Sequence, residues 1–500
     1  MTRTVASSIA IVLAFSACRG SAGGSLPSFG ANAVLGDASC VAKHYASPTA
    51  PAYARTIWPS EKHDEWRTAA AAGGLPASFG TLHGKIVKLP PVPVWGYVGT
   101  DGNLYVLGGQ PYLLDIYTKL ILGRHESEKK LLAESLAYSE RLTPYVAKID
   151  PTTMAAKILA LPQKHGVNYI GGMLVHSNGY LYAVARAVLY KIDPKTFSII
   201  ASKRLPLILD SSGKPDYLTS YNGMQATLNG DLILKAFAAS GVSGVLVRVD
   251  PIDLSIKVKA ESAAIAGARL AVATSGADQY VYTAGATDSI RFLISDSAFT
   301  LDNGFSQQYL VAGSGSTEGT SEVYMGNGVV FTNNTTPNAT TPITLFAQRA
   351  VDGSQIQSQP AFTGTGKGWN WEMPSGDPFH SGVLAVQDQV SGHISGFLAC
   401  NGGASGKKLW EDDRIEDSIG LAINTTDDEL YADDHRCTGH VCSLALVVLG
   451  LRTGKELGRV KVGGDEPSIG QIFIGPHNAI FHLSTDTNRP NGYISRITAP

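Results

Sequence analysis

The chain has 500 residues, a formal net charge of −2 and charged side chains at only 16% of positions, below the roughly 25% usual in soluble domains. No Lys/Arg run forms a phosphate-tracking stripe, so charge gives no case for a nucleic-acid partner. With 54 glycines and abundant Ser, Thr, Val and Leu, the composition is that of a β-rich exported protein rather than a helical cytosolic enzyme.

The N-terminus reads as an export signal. Arg3 supplies a positive n-region, and the apolar stretch from Val5 to Phe15 is too short to span a bilayer. Phe15-Ser16-Ala17-Cys18 resembles a bacterial lipobox, with Phe15 where Leu is usual. That resemblance implies a lipid anchor on Cys18; ordinary cleavage near Ala22 is the alternative. Residues 1–22 are therefore expected to be a signal peptide or lipoprotein signal, and 23–83 an N-terminal extension. The destination is the periplasm or outer membrane, or the medium. Beyond Cys18 there are four cysteines, Cys40, Cys400, Cys437 and Cys442, enough for two disulfides with three connectivities. Cys437 and Cys442 flank a short polar turn and can close a small loop, in which case Cys40 pins the extension to Cys400. A metal site at Cys437, His440 and Cys442 lacks the second pair that finger spacing needs.

From residue 84 onward two phrases alternate. The first is a polar turn followed by an apolar strand: Asp101-Gly102-Asn103-Leu104-Tyr105, Asn178-Gly179-Tyr180-Leu181-Tyr182, Asn229-Gly230-Asp231-Leu232-Ile233, with weaker copies at Asp278, Asn327, Ser381, Asp428 and His477. From Gly179 they recur at the roughly 50-residue period of a four-stranded blade. The second is a strand ending in a tight turn, as in Lys148-Ile149-Asp150-Pro151, Lys191-Ile192-Asp193-Pro194 and Arg248-Val249-Asp250-Pro251. These phrases predict an all-β fold over 84–500, an eight-bladed β-propeller, with seven blades as the alternative. Gly84–Leu89 reads as a fourth strand that precedes the first blade, while the last blade stops at its third strand, Gly492–Thr498. The N-terminal strand should therefore complete the last blade and remove the open edges. Gly102 and Gly179 are 77 residues apart, and the surplus, 111–141, has helical periodicity. Leu113, Leu114, Ile116, Tyr117, Leu120 and Ile121 form one apolar face, and Leu131, Leu132, Leu136 and Ala137 a second. A helical insertion in the first blade is expected to cover one mouth of the axial channel.

Strand alternation places the starts of the innermost strands around the axis at that mouth: Trp95, Gly171-Gly172, Asn222, Arg269, Glu322, Glu372, Asp417-Ser418 and Ser468. Asn222, Glu372 and Asp417 are oxygen donors suited to a hard divalent cation such as Ca²⁺. The set is similar to that of gluconolactonase- and paraoxonase-type propellers, which implies a catalytic metal. Glu372 and Asp417 are the candidate acid–base groups, and Trp369, Trp371, Arg269 and Trp95 the candidate ligand-binding residues. No nucleophile elbow, P-loop or dinucleotide fingerprint appears in a fitting context. The repeats resemble the bacterial quinoprotein-like and YVTN-type propellers. The chain has no vicinal Cys pair and no Cys-x-x-Cys-His, so the resemblance does not carry pyrroloquinoline quinone or haem with it. Two functions are expected from this reading. One is an exported enzyme, hydrolase or lactonase-like or an oxidoreductase, acting on a small organic molecule in an axial pocket. The other is a non-catalytic ligand-binding or scaffold lipoprotein of the cell envelope. A pocketed axis favours the first and a plugged channel the second.

Overall fold

The computed structural model describes residues 51–500 apart from 78, 112–127, 239–242, 264, 266–268, 276–277, 285–287, 309–322, 325–328, 334–342, 351, 364–373, 378–379, 389–392, 399–406, 416–419, 439–440 and 487–490. Among the described residues the strands from Pro93 onward lie in eight sheets that follow one another along the chain, over residues 93–160, 172–204, 219–262, 270–308, 323–360, 375–412, 421–461 and 466–498. The first six are antiparallel meanders of four consecutive strands, and the first strand of each is the innermost.

The turns explain the repeated phrases. Gly102, Gly179, Gly230 and Gly382 have φ of 76°, 89°, 93° and 65°, and Asp428 and Asn478 follow at 54° and 53°. This left-handed region is open to Gly and tolerable for Asn and Asp, hence the polar-turn signature. In the second turn, Asp150 Oδ1 accepts the N–H groups of Thr152 and Thr153 at 2.8 and 2.7 Å, and Asp250 Oδ1 that of Ile252 at 2.7 Å.

Adjacent sheets share apolar cores in a closed cycle. Tyr97 and Leu107 share one with Val175 and Ala183; Tyr182 and Leu189 with Tyr221 and Leu234; Ile233 and Leu246 with Leu270 and Val281. Ala273 and Tyr282 join Ala350, Leu345 and Ala347 join Leu384 and Phe397, and Val383 and Ala385 join Ile423 and Leu430. A last cluster unites Tyr431 and Val448 with Phe473 and Ile480, and these with Val98 and Val106 of the first sheet. The strand His83–Leu89 pairs antiparallel with Gly492–Thr498 along its whole length, from His83 opposite Thr498 to Leu89 opposite Gly492. This is the pairing expected from the sequence, and it gives the eighth sheet its outer strand.

One helix, Glu128–Arg141, connects the second and third strands of the first sheet. The first apolar face of the predicted insertion, from Leu113 to Ile121, lies outside the described residues. Of the second expected face, the Leu131 and Leu132 side chains lie outside the described residues, Leu136 is half-buried and Ala137 is exposed, while Ser139 is buried. Polar contacts anchor the end of the helix. The Ser139 hydroxyl donates to the Asn168 carbonyl, and Asn168 Nδ2 donates to the carbonyls of Gly109 and Ser139 at 2.9 and 2.8 Å. Tyr138 and Leu142 pack on the core between the first two sheets.

Candidate functional site

The middle of the ring is occupied by the chain's own N-terminal extension. Val98 donates its N–H to Trp58 O (2.8 Å), Val175 to Pro59 O (2.7 Å), Val272 to Glu65 O (2.9 Å), Gly376 to Thr68 O (2.9 Å) and Ile423 to Ala69 O (2.8 Å). Ala226 donates to the Tyr53 phenol oxygen at 2.9 Å. These partners lie on the innermost strands of the first, second, fourth, sixth, seventh and third sheets, and only a segment on the axis reaches all of them. Ala70–Ala71 even adds a short parallel strand to Leu421–Asn424, with Ala70 opposite Ile423. The segment coils tightly, with Lys62, His63, Arg67 and Ala69 at φ of 58°, 78°, 64° and 54°. Such conformations cost an L residue roughly 1 kcal/mol or more each, and the enclosing strands hold them.

The segment is charged yet buried. Glu61 and Arg67 are each 1% exposed and pair at 2.6 Å. Asp64 Oδ1 accepts the N–H groups of Trp66 and Thr68 at 3.1 and 3.0 Å, and its other oxygen lies 2.9 Å from His63 Nδ1. Burial, reinforced by Glu65 and Glu61 respectively, raises the phenols of Tyr53 and Tyr97 well above their ordinary range.

Three sequence-predicted residues meet on the axis here. Trp95 Nε1 donates to Gly171 O at 3.1 Å, and the Arg269 guanidinium lies 4.6 Å from the centroid of the Trp95 ring. Arg269 Nη1 donates to Glu61 Oε2 at 2.5 Å, to Gly171 O at 3.2 Å and to Asn222 O. Gly171 is required in this packing, because a Cβ there would fall 1.8 Å from Val184 O. The cluster is thus a fixed arginine cation satisfied by two carbonyls and a carboxylate, and Trp95 is fully buried. Glu61 was not a sequence candidate; in a segment without periodicity an acidic side chain reads as solvated. Trp369, Trp371, Glu372 and Asp417 lie outside the described residues. The adjacent pair Asp434 and His435 diverges as strand neighbours must: Asp434 pairs with Arg436 (2.9 Å) and Arg459 (2.5 Å), while His435 Nε2 lies 3.4 Å from Cys437 Sγ. Cys437 and Cys442 are directly opposite on a hairpin, their Sγ atoms 2.04 Å apart. Cys40 and Cys400 lie outside the described residues.

The extension leaves the ring past the seventh sheet. Gly74 turns there at φ 124°, where a Cβ would fall 2.5 Å from Tyr431 Oη. Leu75 donates its N–H to Tyr431 Oη (2.9 Å), and Tyr431 in turn donates to Glu429 Oε2 (2.5 Å). Asn424 Nδ2 donates to Leu75 O (3.1 Å) and to Glu429 Oε2 (3.0 Å). Burial pushes the Glu429 carboxyl up to about 6.

On the helix side, a cleft of about 730 Å³ opens off the axis, beside the second sheet. Leu136 and Glu140 of the helix form one wall, and the connections holding Lys164–Val167, Arg204–Leu207 and Pro215–Leu218 form the others. Arg186 reaches in from the turn between the middle strands of the second sheet. It donates to Glu140 Oε1 at 2.7 Å and to Gly166 O at 3.0 Å. His165 Nε2 lies 2.9 Å from Leu205 O, which can only accept, so Nε2 carries a proton. None of these residues belongs to a repeated phrase, and nothing in their spacing marks them.

No family model matches the chain, and no curated protein matches its sequence. Solved structures do match in shape. A quinohemoprotein alcohol dehydrogenase from Pseudomonas putida HK5 superposes with a TM-score of 0.57 at 9% identity, over 89% of this chain and 80% of that one. The Dos1 propeller gives 0.51 at 9% identity, over 83% and 94%. The chain is a β-propeller. It is quinoprotein-like in shape, and Sqt1 of Saccharomyces cerevisiae also superposes, with a TM-score of 0.50 at 10% identity, over 86% of this chain and 99% of that one. At these identities the likeness speaks for the fold, which serves an alcohol dehydrogenase in the first case and leaves chemistry to the site.

Proposed function

We propose that the chain is an exported, eight-bladed propeller of the cell envelope that binds a ligand or partner rather than transforming a substrate on its axis. The eight sheets are read as eight blades of one ring, with a helical insertion in the first. The observation that carries the reading is the buried extension: the axial channel, where a propeller enzyme keeps its reacting groups, is filled by residues 53–71 bonded to six innermost strands. At the helix-side mouth the Arg269 guanidinium bonds the main-chain carbonyl of Asn222, which sets a fixed cation beside the residue proposed to hold a divalent one. The Cys437–Cys442 pair suits an oxidising compartment. With the axis closed, the helix-side face and its cleft are the surface left for recognition.

Native-state hydrogen exchange tests this. Backbone amides of residues 53–71 should exchange as slowly as those of the innermost strands, because they open only with the ring. Exchange of that segment within seconds, in a chain whose sheets stay protected, would show an axis that opens. It would return the enzymatic reading, with Glu372 and Asp417, to first place.

A further inference from the structure

We infer that the cleft between the helix and the second and third sheets binds a small anionic amphiphile, one acid group on an apolar body. This rests on the reading of the chain as a binding protein. The volume of about 730 Å³ falls in the range of small-molecule sites, about 300–1,000 Å³. Its composition is divided: Leu136, Val167, Leu205 and Leu207 supply an apolar lining, and Lys164, Arg186 and Arg204 bring three cations against the single carboxylate of Glu140. Arg186 is 2% exposed and already committed to Glu140 and the Gly166 carbonyl. Lys164 and Arg204, both exposed at the rim, have no ion-pair partner among the described residues. Two uncompensated cations above an apolar lining complement a ligand with one charged end and one greasy end. A cationic ligand would meet like charge, and a neutral one would leave the rim unused. Tyr217, 71% exposed at the mouth, is a flat aromatic surface for the ligand's apolar part. The chain as a whole carries −2, so this basic mouth is a local feature and not a reflection of net charge.

The test uses the full chain and 8-anilinonaphthalene-1-sulfonate, an aryl anion whose fluorescence rises on binding. A single saturable site is expected, displaced by decanoate but not by decyltrimethylammonium or decanol at equal concentration. The double variant Lys164→Ala/Arg204→Ala should weaken the probe at least tenfold with an unchanged melting temperature, since both side chains are exposed. Lys407→Ala, on the sixth sheet, should leave it unaltered. Binding that is absent, that survives the double variant, or that decanol displaces as well as decanoate does would overturn the assignment. Failure of the broader reading looks different. Decanoate or another acid bound at the cleft but chemically altered, as seen by NMR of the mixture, would keep the site and refute a purely binding role.

Discussion

At the scale of single residues, the interior is governed by how buried charge is compensated. Arg269 is the clearest case, since one guanidinium answers Glu61 and the carbonyls of Gly171 and Asn222 under the Trp95 ring. Breaking a buried pair from one side strands the other charge in a low-dielectric interior. Arg269→Met leaves Glu61 paired with Arg67 but removes the donor to the buried Gly171 and Asn222 carbonyls, and should cost about 1–3 kcal/mol in urea unfolding. Glu61→Gln should cost more, because it takes the shared carboxylate from both the Arg67 and the Arg269 guanidinium and leaves buried cations behind. Glu429 shows the opposite sign. Its folded pKa, about 6, lies above the ordinary 4.5 because burial penalises the carboxylate. The native state thus holds the proton more tightly than the unfolded chain does. The stabilisation is complete below pH 4.5 and is lost as the pH rises through 6. Glu429→Gln, which keeps an oxygen for Tyr431 and Asn424, should raise stability at pH 7.5 by about 1–2 kcal/mol. The gain should vanish at pH 4, as denaturant melts at the two values would show.

Among the elements, legibility followed backbone demand. The polar turns were readable because left-handed φ restricts residue choice, and Gly102, Gly179 and Gly230 obey that restriction. The second turn was only half readable. Asp and Pro marked it, yet the strained positions are Met154, Phe197 and Leu254, at φ of 62°, 51° and 62°. Met154 and Leu254 are buried in the cores between sheets, where burying an apolar side chain contributes about 1.5–3 kcal/mol and outweighs the backbone cost of about 1–2 kcal/mol. A Gly would suit the φ and forfeit the packing, so no turn signature appears in the sequence. Of the axial residues named from the sequence, Trp95, Asn222 and Arg269 lie together, but alternation could not say what faced them. Their partner comes from 208 residues upstream of Arg269, and Lys62, Asp64 and Arg67 look like any solvated charge run. At the end of the helix Glu128–Arg141 the contact of Ser139 with Asn168 is a hydrogen-bond pairing that apolar spacing does not encode.

For the whole molecule, the two ends of the propeller are interdependent. His83–Leu89 has its strand partner in Gly492–Thr498, so a chain ending at residue 491 leaves both that strand and the third strand's place in the eighth sheet open. Exposed edges invite pairing with other chains. Such a truncation should lose its cooperative thermal transition and elute as aggregates in size-exclusion chromatography; a monomer melting like the full chain would contradict this account. The buried extension has a consequence in time as well as in space. Residues 52–71 are synthesised well before Ile423 and Gly376, yet Thr68 and Ala69 find their hydrogen bonds on those late strands. A nascent chain therefore cannot finish its centre early. The backbone of Thr68–Ala71 waits for the sixth and seventh sheets, and the outer strand of the eighth waits for Gly492–Thr498. Contacts so distant in sequence make folding slow, and slowness keeps the polypeptide open and threadable for as long as it is being made. On the proposed reading of an exported chain, which crosses a membrane before it folds, there is a gain in having this early-made segment be among the last to settle.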